Sequence, residues 1–303
     1  MRRAIAILAG LAIGTVAGVA QAQDVGGPPP PAASRAMASA VSEWRTVPAA
    51  NLLIIDTNRG RILLEMAPEV APQHVERIRL LARAGFFDGL TWHRVIDWFM
   101  AQTGDPLGNG EGQSPYPDLA AEFTFRRDAA VPFTAVAAPA GALVGFVHSL
   151  PVQTQPDAAM ALTGDGKVHG WGLYCPGVAG MARDEDNDTA NSQFFLMRQA
   201  YPALDKRYTV WGTVVSGLDV VRALKSGGGD NGMVASDPDR MTRVRVAADL
   251  PEVGRPVVRV LDTESAGFRT LAEQVRQARG ADFSVCDITL PVDVSQAQVV
   301  AGG

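Results

Sequence analysis

The 303-residue chain is poor in the residues that hold metals and redox centres. It has two cysteines, Cys175 and Cys286, without the clustering of a metal site, and four histidines. His74, His93, His148 and His169 lack the spacing that brings zinc ligands together, and His93 reads as a structural member of a strand. No glycine-rich phosphate loop precedes a helix and no nucleophile elbow is present, which removes two large enzyme classes. Positive charge is also in deficit, with 27 basic residues against 32 acidic and a net charge of −5, so nucleic acid is disfavoured as a partner. Beyond the first two dozen residues, no run is apolar enough to span a bilayer.

What is present begins with an export signal. Arg2 and Arg3 precede an apolar run from Ala4 to Val19 and a small-residue site, Ala20-Gln21-Ala22. Residues 1–22 therefore read as a cleaved secretory signal peptide, a membrane anchor being the alternative, and the expected location is periplasmic or secreted. Removing two of the 27 basic residues and no acids leaves 25 against 32, a mature charge of −7. Residues 23–45 contain Gly26-Gly27-Pro28-Pro29-Pro30-Pro31-Ala32-Ala33, a Pro/Ala-rich linker that cannot bury a core. An oxidising compartment lets Cys175 and Cys286 pair, with two separate buried thiols as the other reading.

The folded part is expected from about Val47. Leu52–Asp56 and Arg61–Met66 read as strands joined through Thr57-Asn58-Arg59-Gly60. Pro72 opens a helix whose apolar face is Val75, Ile78 and Leu81 or Ala82, and Gly85 ends it. Later strands are expected at Gln193–Met197, Tyr208–Val215 and Arg243–Ala247, with a second short helix marked by Leu218, Val221 and Leu224. Beyond Leu250, Val257–Val260 reads as a strand, Ser265–Arg279 as an amphipathic helix stopped by Gly280, and Phe283–Ile288 as another strand.

Two segments carry the chemistry. The run Trp92-His93-Arg94-Val95-Ile96-Asp97-Trp98-Phe99-Met100-Ala101-Gln102-Thr103-Gly104-Asp105 reads as two short strands around a turn near Asp97, grouping a cation, large apolar side chains and an amide. Further on stand Gly180-Met181-Ala182-Arg183, an acidic loop, and Asn191-Ser192-Gln193-Phe194-Phe195. Both segments, in this order and at about this spacing, resemble the signatures of the cyclophilins, the peptidyl-prolyl cis-trans isomerases.

The resemblance implies a mostly β fold: a closed eight-stranded antiparallel barrel with two capping helices, occupying residues 46–250. It implies that Arg94 is catalytic, that Phe99, Met100, Phe195 and Leu204 receive a proline ring, and that Gln102 and Gln193 support the arginine and bind substrate backbone. Ala182 and Arg183 would border the residue before the proline. No cofactor is implied, and the expected partners are proline-containing polypeptides, with no stable membrane insertion once the signal is cleaved. A peptide-binding or chaperone module that has lost catalysis is the alternative function.

The chain departs from the family in several places. Residues about 106–176 read as an insertion with scattered prolines, in which Leu143–Val147 can add a strand, and 251–303 as a small α/β extension. Ala203 stands where many members have tryptophan, Tyr208 where they have histidine, and Arg183 where they have asparagine, which puts cyclosporin binding in doubt more than catalysis. The acidic residues Asp184, Glu185, Asp186 and Asp188 lack the pattern of a calcium loop and read as solvated surface.

Overall fold

The computed structural model describes residues 43–228 and 231–296; the expected signal peptide and the linker as far as residue 42 lie outside them. Strand β1 (Trp44–Thr46) begins earlier than the sequence suggests, taking in Trp44 and Arg45 of the expected linker. β2 (Leu52–Thr57) and β3 (Gly60–Met66) make the expected hairpin, with Thr57 paired to Gly60. Pro72 opens helix α1 (Pro72–Arg83), whose buried face is Val75, Ile78, Leu81 and Ala82 together with His74 and Arg77. The first motif supplies β4 (Arg94–Val95) and β5 (Met100–Thr103), paired Arg94 to Gln102 across a tight turn at Asp97 and Trp98.

Within the stretch read above as an insertion, residues 125–172 form a separate sheet. It contains β6 (Phe125–Arg127), β7 (Thr134–Ala137), β8 (Leu143–Val147), β9 (Leu150–Thr154) and β10 (Val168–Gly172), in spatial order β6-β10-β9-β8-β7. The second motif then supplies β11 (Val178–Met181) and β12 (Phe194–Met197), followed by β13 (Val210–Ser216), the short helix α2 (Leu218–Ala223) and β14 (Met241–Val246).

These strands form one eight-stranded sheet in the order β14-β2-β3-β13-β11-β12-β5-β4, antiparallel at every pairing. The closed barrel expected above is not what the hydrogen bonds describe. Among the described residues no ladder joins β4 to β14; the seam is spanned by the single bridges Thr91 with Arg240 and Arg94 with Met233, and by backbone bonds such as Trp92 N–H to Asp239 O at 2.8 Å and Met241 N–H to Leu90 O at 2.9 Å. The physical reason is the length of β4: two residues cannot sustain a second ladder, so the sheet curls on itself and stays open in its pairing.

The C-terminal extension holds β15 (Pro256–Leu261), α3 (Ala266–Arg279) and β16 (Val292–Gln296), and β1 pairs beside β15 in a three-stranded sheet, β1-β15-β16. The strand expected at Phe283–Ile288 is instead a 3₁₀ turn over Val285–Asp287. Ser284 and Asp287 cap it reciprocally, and that local bonding outcompetes the apolar alternation that suggested a strand.

This extension explains why Leu52-Leu53-Ile54-Ile55 is an unbroken apolar run. Leu53 and Ile55 face the main core with Ile62, Leu64, Phe194 and Trp211, whereas Leu52, Ile54 and Leu63 pack against Val258 and Val260 of β15. A strand covered on both faces has no polar alternation. Arg45 ties three parts together, donating to Glu65 of β3 at 2.6 Å and to Ser149 beside the insertion sheet at 2.6 Å. Phe268 of α3 meets Phe146 of β8 edge to face, centroids 5.6 Å apart, and Cys175 is joined to Cys286 in a disulfide with α-carbons 5.1 Å apart.

Candidate active site

β12 is the axis of the site. On one side it pairs with β11, Gly180 opposite Phe195, and on the other with β5, Gln102 opposite Phe195. Adding β4 beyond β5 brings Arg94 directly across from Gln102. Alternation then sends Phe195, Gln102 and Arg94 to one face of three neighbouring strands. The close packing needs glycine at Gly180, where a Cβ would stand 2.6 Å from the Phe195 ring.

The nine residues Arg94, Phe99, Met100, Gln102, Ala182, Arg183, Phe195, Leu204 and Tyr208 line one open hollow of about 180 Å³. Met100, Phe195 and Leu204 are buried and form its floor, while Phe99 and Tyr208 are half-buried walls. Tyr208 stands edge-on to Phe195, centroids 6.0 Å apart. Gln193 lies next door, in a small groove of about 70 Å³ that shares Gln102, Ala182 and Arg183 with the hollow.

Arg94 is held at the rim by two bonds. Its Nε donates to the Asn231 carbonyl at 2.7 Å and one Nη donates to Gln102 Oε1 at 3.0 Å. Behind it, Gln102 Nε2 donates to Gln193 Oε1 at 2.9 Å, and Gln193 Nε2 donates to the carbonyls of Gly110 and Gly112, each at 2.9 Å. The direction of this relay is forced at both ends, because backbone carbonyls only accept and a guanidinium only donates. Each glutamine must therefore turn its oxygen toward Arg94, leaving the remaining guanidinium N–H groups aimed at the hollow. Burial lowers the Arg94 pKa, opposed by the nearby Tyr208, yet a guanidinium stays charged at any working pH.

The loop that ends the relay is itself fixed. Asp105 accepts from the N–H groups of Leu107, Asn109 and Gly110. Burial would raise its pKa, but those bonds and His93 hold it below the ordinary carboxylate range. Gly112 sits so close that a Cβ there would lie 1.9 Å from Asp105 Oδ1. Glu122 closes the far end of the loop by accepting from the first N–H groups of α1, at Gln73 and His74, and by pairing with His74 Nδ1 at 2.6 Å.

Arg183 is turned back on its own loops. Its guanidinium donates to the carbonyls of Arg207, Asp184 and Glu185 and lies over the Tyr208 ring at 4.5 Å. It braces a wall instead of offering a free donor. Several contributors escaped the sequence reading. Asn231 and the glycine carbonyls act through backbone and carry no side-chain signal, while Tyr174, stacked on Phe195 with centroids 5.7 Å apart, sits at the end of the insertion outside either motif. Asp105 was visible as the last residue of the first motif, and residues 111–117 with Glu122 as a loop resembling the one that leaves that motif in the family.

The profile described as cyclophilin type peptidyl-prolyl cis-trans isomerase/CLD matches residues 52–246, a stretch that contains every residue of this hollow. The chain belongs to the cyclophilin-type peptidyl-prolyl cis-trans isomerases. Among its relatives, a probable peptidyl-prolyl cis-trans isomerase of Brucella suis is 34% identical over 233 residues, spanning 72% of this cyclophilin and 95% of its own length. Peptidyl-prolyl cis-trans isomerase B of Bacillus subtilis is 30% identical over 168 residues, 55% of this chain and 85% of that one. Among solved structures, the cyclophilin AquaCyp293 from Hirschia baltica aligns with a TM-score of 0.76 at 32% identity, covering 84% of this cyclophilin and 94% of that chain. That coverage reaches beyond the stretch matched by the family profile.

Proposed function

We propose that this cyclophilin accelerates rotation about Xaa-Pro peptide bonds of exported proteins, in the periplasm or outside the cell, without a cofactor. The observation that carries the activity is the convergence of the nine residues on one hollow with Arg94 fixed at its rim. Supporting the location are the signal-like residues 1–22, the disulfide, and the fact that no helix among the described residues is long and apolar enough to cross a membrane. Residues 46–250 are read as the isomerase domain, with 106–176 inserted and 251–303 appended.

The reaction breaks no bond. Rotation must overcome amide resonance, a barrier of ~18–20 kcal/mol, and takes tens to hundreds of seconds unaided. Met100, Phe195 and Leu204 take the proline ring, so that the preceding carbonyl swings while the ring stays still. As the amide twists, its nitrogen becomes pyramidal and gains a lone pair that accepts hydrogen bonds. The Arg94 guanidinium, held in place beforehand by Gln102 and Asn231, donates to that nitrogen or to the carbonyl beside it. This bond is strong only near the transition state, which is what speeds a reaction. An acceleration on the order of 10⁵ needs ~7 kcal/mol, within reach of a preorganised charge plus orientation.

A protease-coupled assay tests this, since the protease cleaves only the trans form of a proline peptide. A folded protein that leaves the slow phase unchanged overturns the proposal. If that protein still binds the peptide, a chaperone role without catalysis takes its place.

A further inference from the structure

The turn between β4 and β5 presents an aromatic surface that the hollow itself does not use. Phe99 N–H donates to Ile96 O at 3.0 Å and Ile96 N–H to Met100 O at 2.9 Å, which puts Asp97 and Trp98 at the tip. Trp98 is 63% exposed, a large apolar surface left in water. It stacks on Phe99, centroids 5.7 Å apart and planes 24° from parallel, and both rings lean on Tyr201, at 6.2 and 4.7 Å. The tip is held rigidly: Asp97 pairs at 2.6 Å with Arg198, a guanidinium buried beneath the turn that also donates to the carbonyls of Arg222 and Leu224.

Strand register says which part of a bound chain would meet this surface. Ala182 N–H donates to Gln193 O at one end of β12, and Arg198 N–H donates to Phe99 O at the other. The two contacts are five residues apart, roughly 16 Å of strand, with Phe195 between them. A polypeptide whose proline sits on Phe195, with its preceding residue at Ala182, therefore leaves the hollow over Phe99 toward Trp98.

We propose that Trp98 and Tyr201 extend the proline hollow into an aromatic shelf that selects polypeptides with a bulky apolar side chain just after the proline. The shelf rests on the isomerase reading given above. Stacking one more ring or leucine on Trp98 should improve kcat/KM by about three- to tenfold, mainly through KM.

Exchange NMR on Ala-Ala-Pro-Yaa-Ala peptides, with Yaa glycine, leucine or phenylalanine, tests the shelf without a protease that imposes its own preference. In the unaltered protein the phenylalanine peptide should exceed the glycine peptide in kcat/KM by about three- to tenfold. Trp98→Ala should bring that ratio to near one, and Trp98→Phe should keep most of it. The phenylalanine peptide should also shift the Trp98 indole N–H resonance, assigned by its loss in Trp98→Phe, and the glycine peptide should not. Equal turnover of all three peptides, or an unchanged ratio in Trp98→Ala, overturns the shelf while leaving the isomerase in place. No acceleration of any peptide overturns the isomerase reading and the shelf with it.

Discussion

At the scale of single residues, the proposed catalysis depends on a guanidinium being aimed before substrate arrives. The aim is set by amides whose polarity is dictated from the Gly110 and Gly112 carbonyls, and those carbonyls are placed by Asp105. Gly112→Ala drives a methyl group into Asp105 and should loosen the whole relay. The expected result is a fall in kcat/KM of about tenfold with Arg94 still present, the scale of loss a displacement near 1 Å brings. A folded Gly112→Ala protein with unchanged kinetics would show that the relay does not position Arg94. The residue before Leu204 gives a second test. Ala203 is exposed and small where many cyclophilins carry tryptophan, so cyclosporin A should bind weakly and Ala203→Trp should tighten it by ~1–3 kcal/mol in a titration. Submicromolar binding by the unaltered protein would contradict this.

At the scale of elements, legibility followed local signals. Helix α1 was readable because Pro72 marks its start and Val75, Ile78 and Leu81 repeat at helical spacing. The β2–β3 hairpin was readable from a Thr-Asn-Arg-Gly turn between two apolar runs. Most of the insertion sheet was not, since its strands are short, Pro151 stands inside β9, and β6 finds its partner β10 some forty residues on. β1 and β16 escaped because each is a short segment that becomes a strand only when β15 lies beside it. The site fared better than the frame: all nine lining residues had been named, seven from the two motifs and Leu204 and Tyr208 from the segment after them, while the backbone donors and acceptors behind them are invisible to side-chain reasoning. The disulfide fastens one of these hidden elements, closing a loop across 111 positions. Replacing both Cys175 and Cys286 by serine should cost ~2–5 kcal/mol in denaturant unfolding. A loss under ~0.5 kcal/mol would mean that packing alone secures the extension.

At the scale of the whole molecule, two further sheets accompany the open curled sheet: Tyr174, just beyond β10, stacks on Phe195 of the site, and the C-terminal sheet covers the outer face of β2 and β3. Without Val258 and Val260 of β15 packed against them, Leu52, Ile54 and Leu63 would face water at a cost of ~1.5–3 kcal/mol each. In the proposed mechanism, turnover rests on Arg94 in its prearranged position. The decisive measurement is the cis-trans exchange rate of a proline peptide with the unaltered protein and with Arg94→Ala, both confirmed folded by their melting curves. The unaltered protein should accelerate exchange strongly, and Arg94→Ala should lower kcat/KM by about two to three powers of ten with little change in melting temperature. A folded Arg94→Ala protein that turns over peptide at the unaltered rate would contradict the mechanism at its centre.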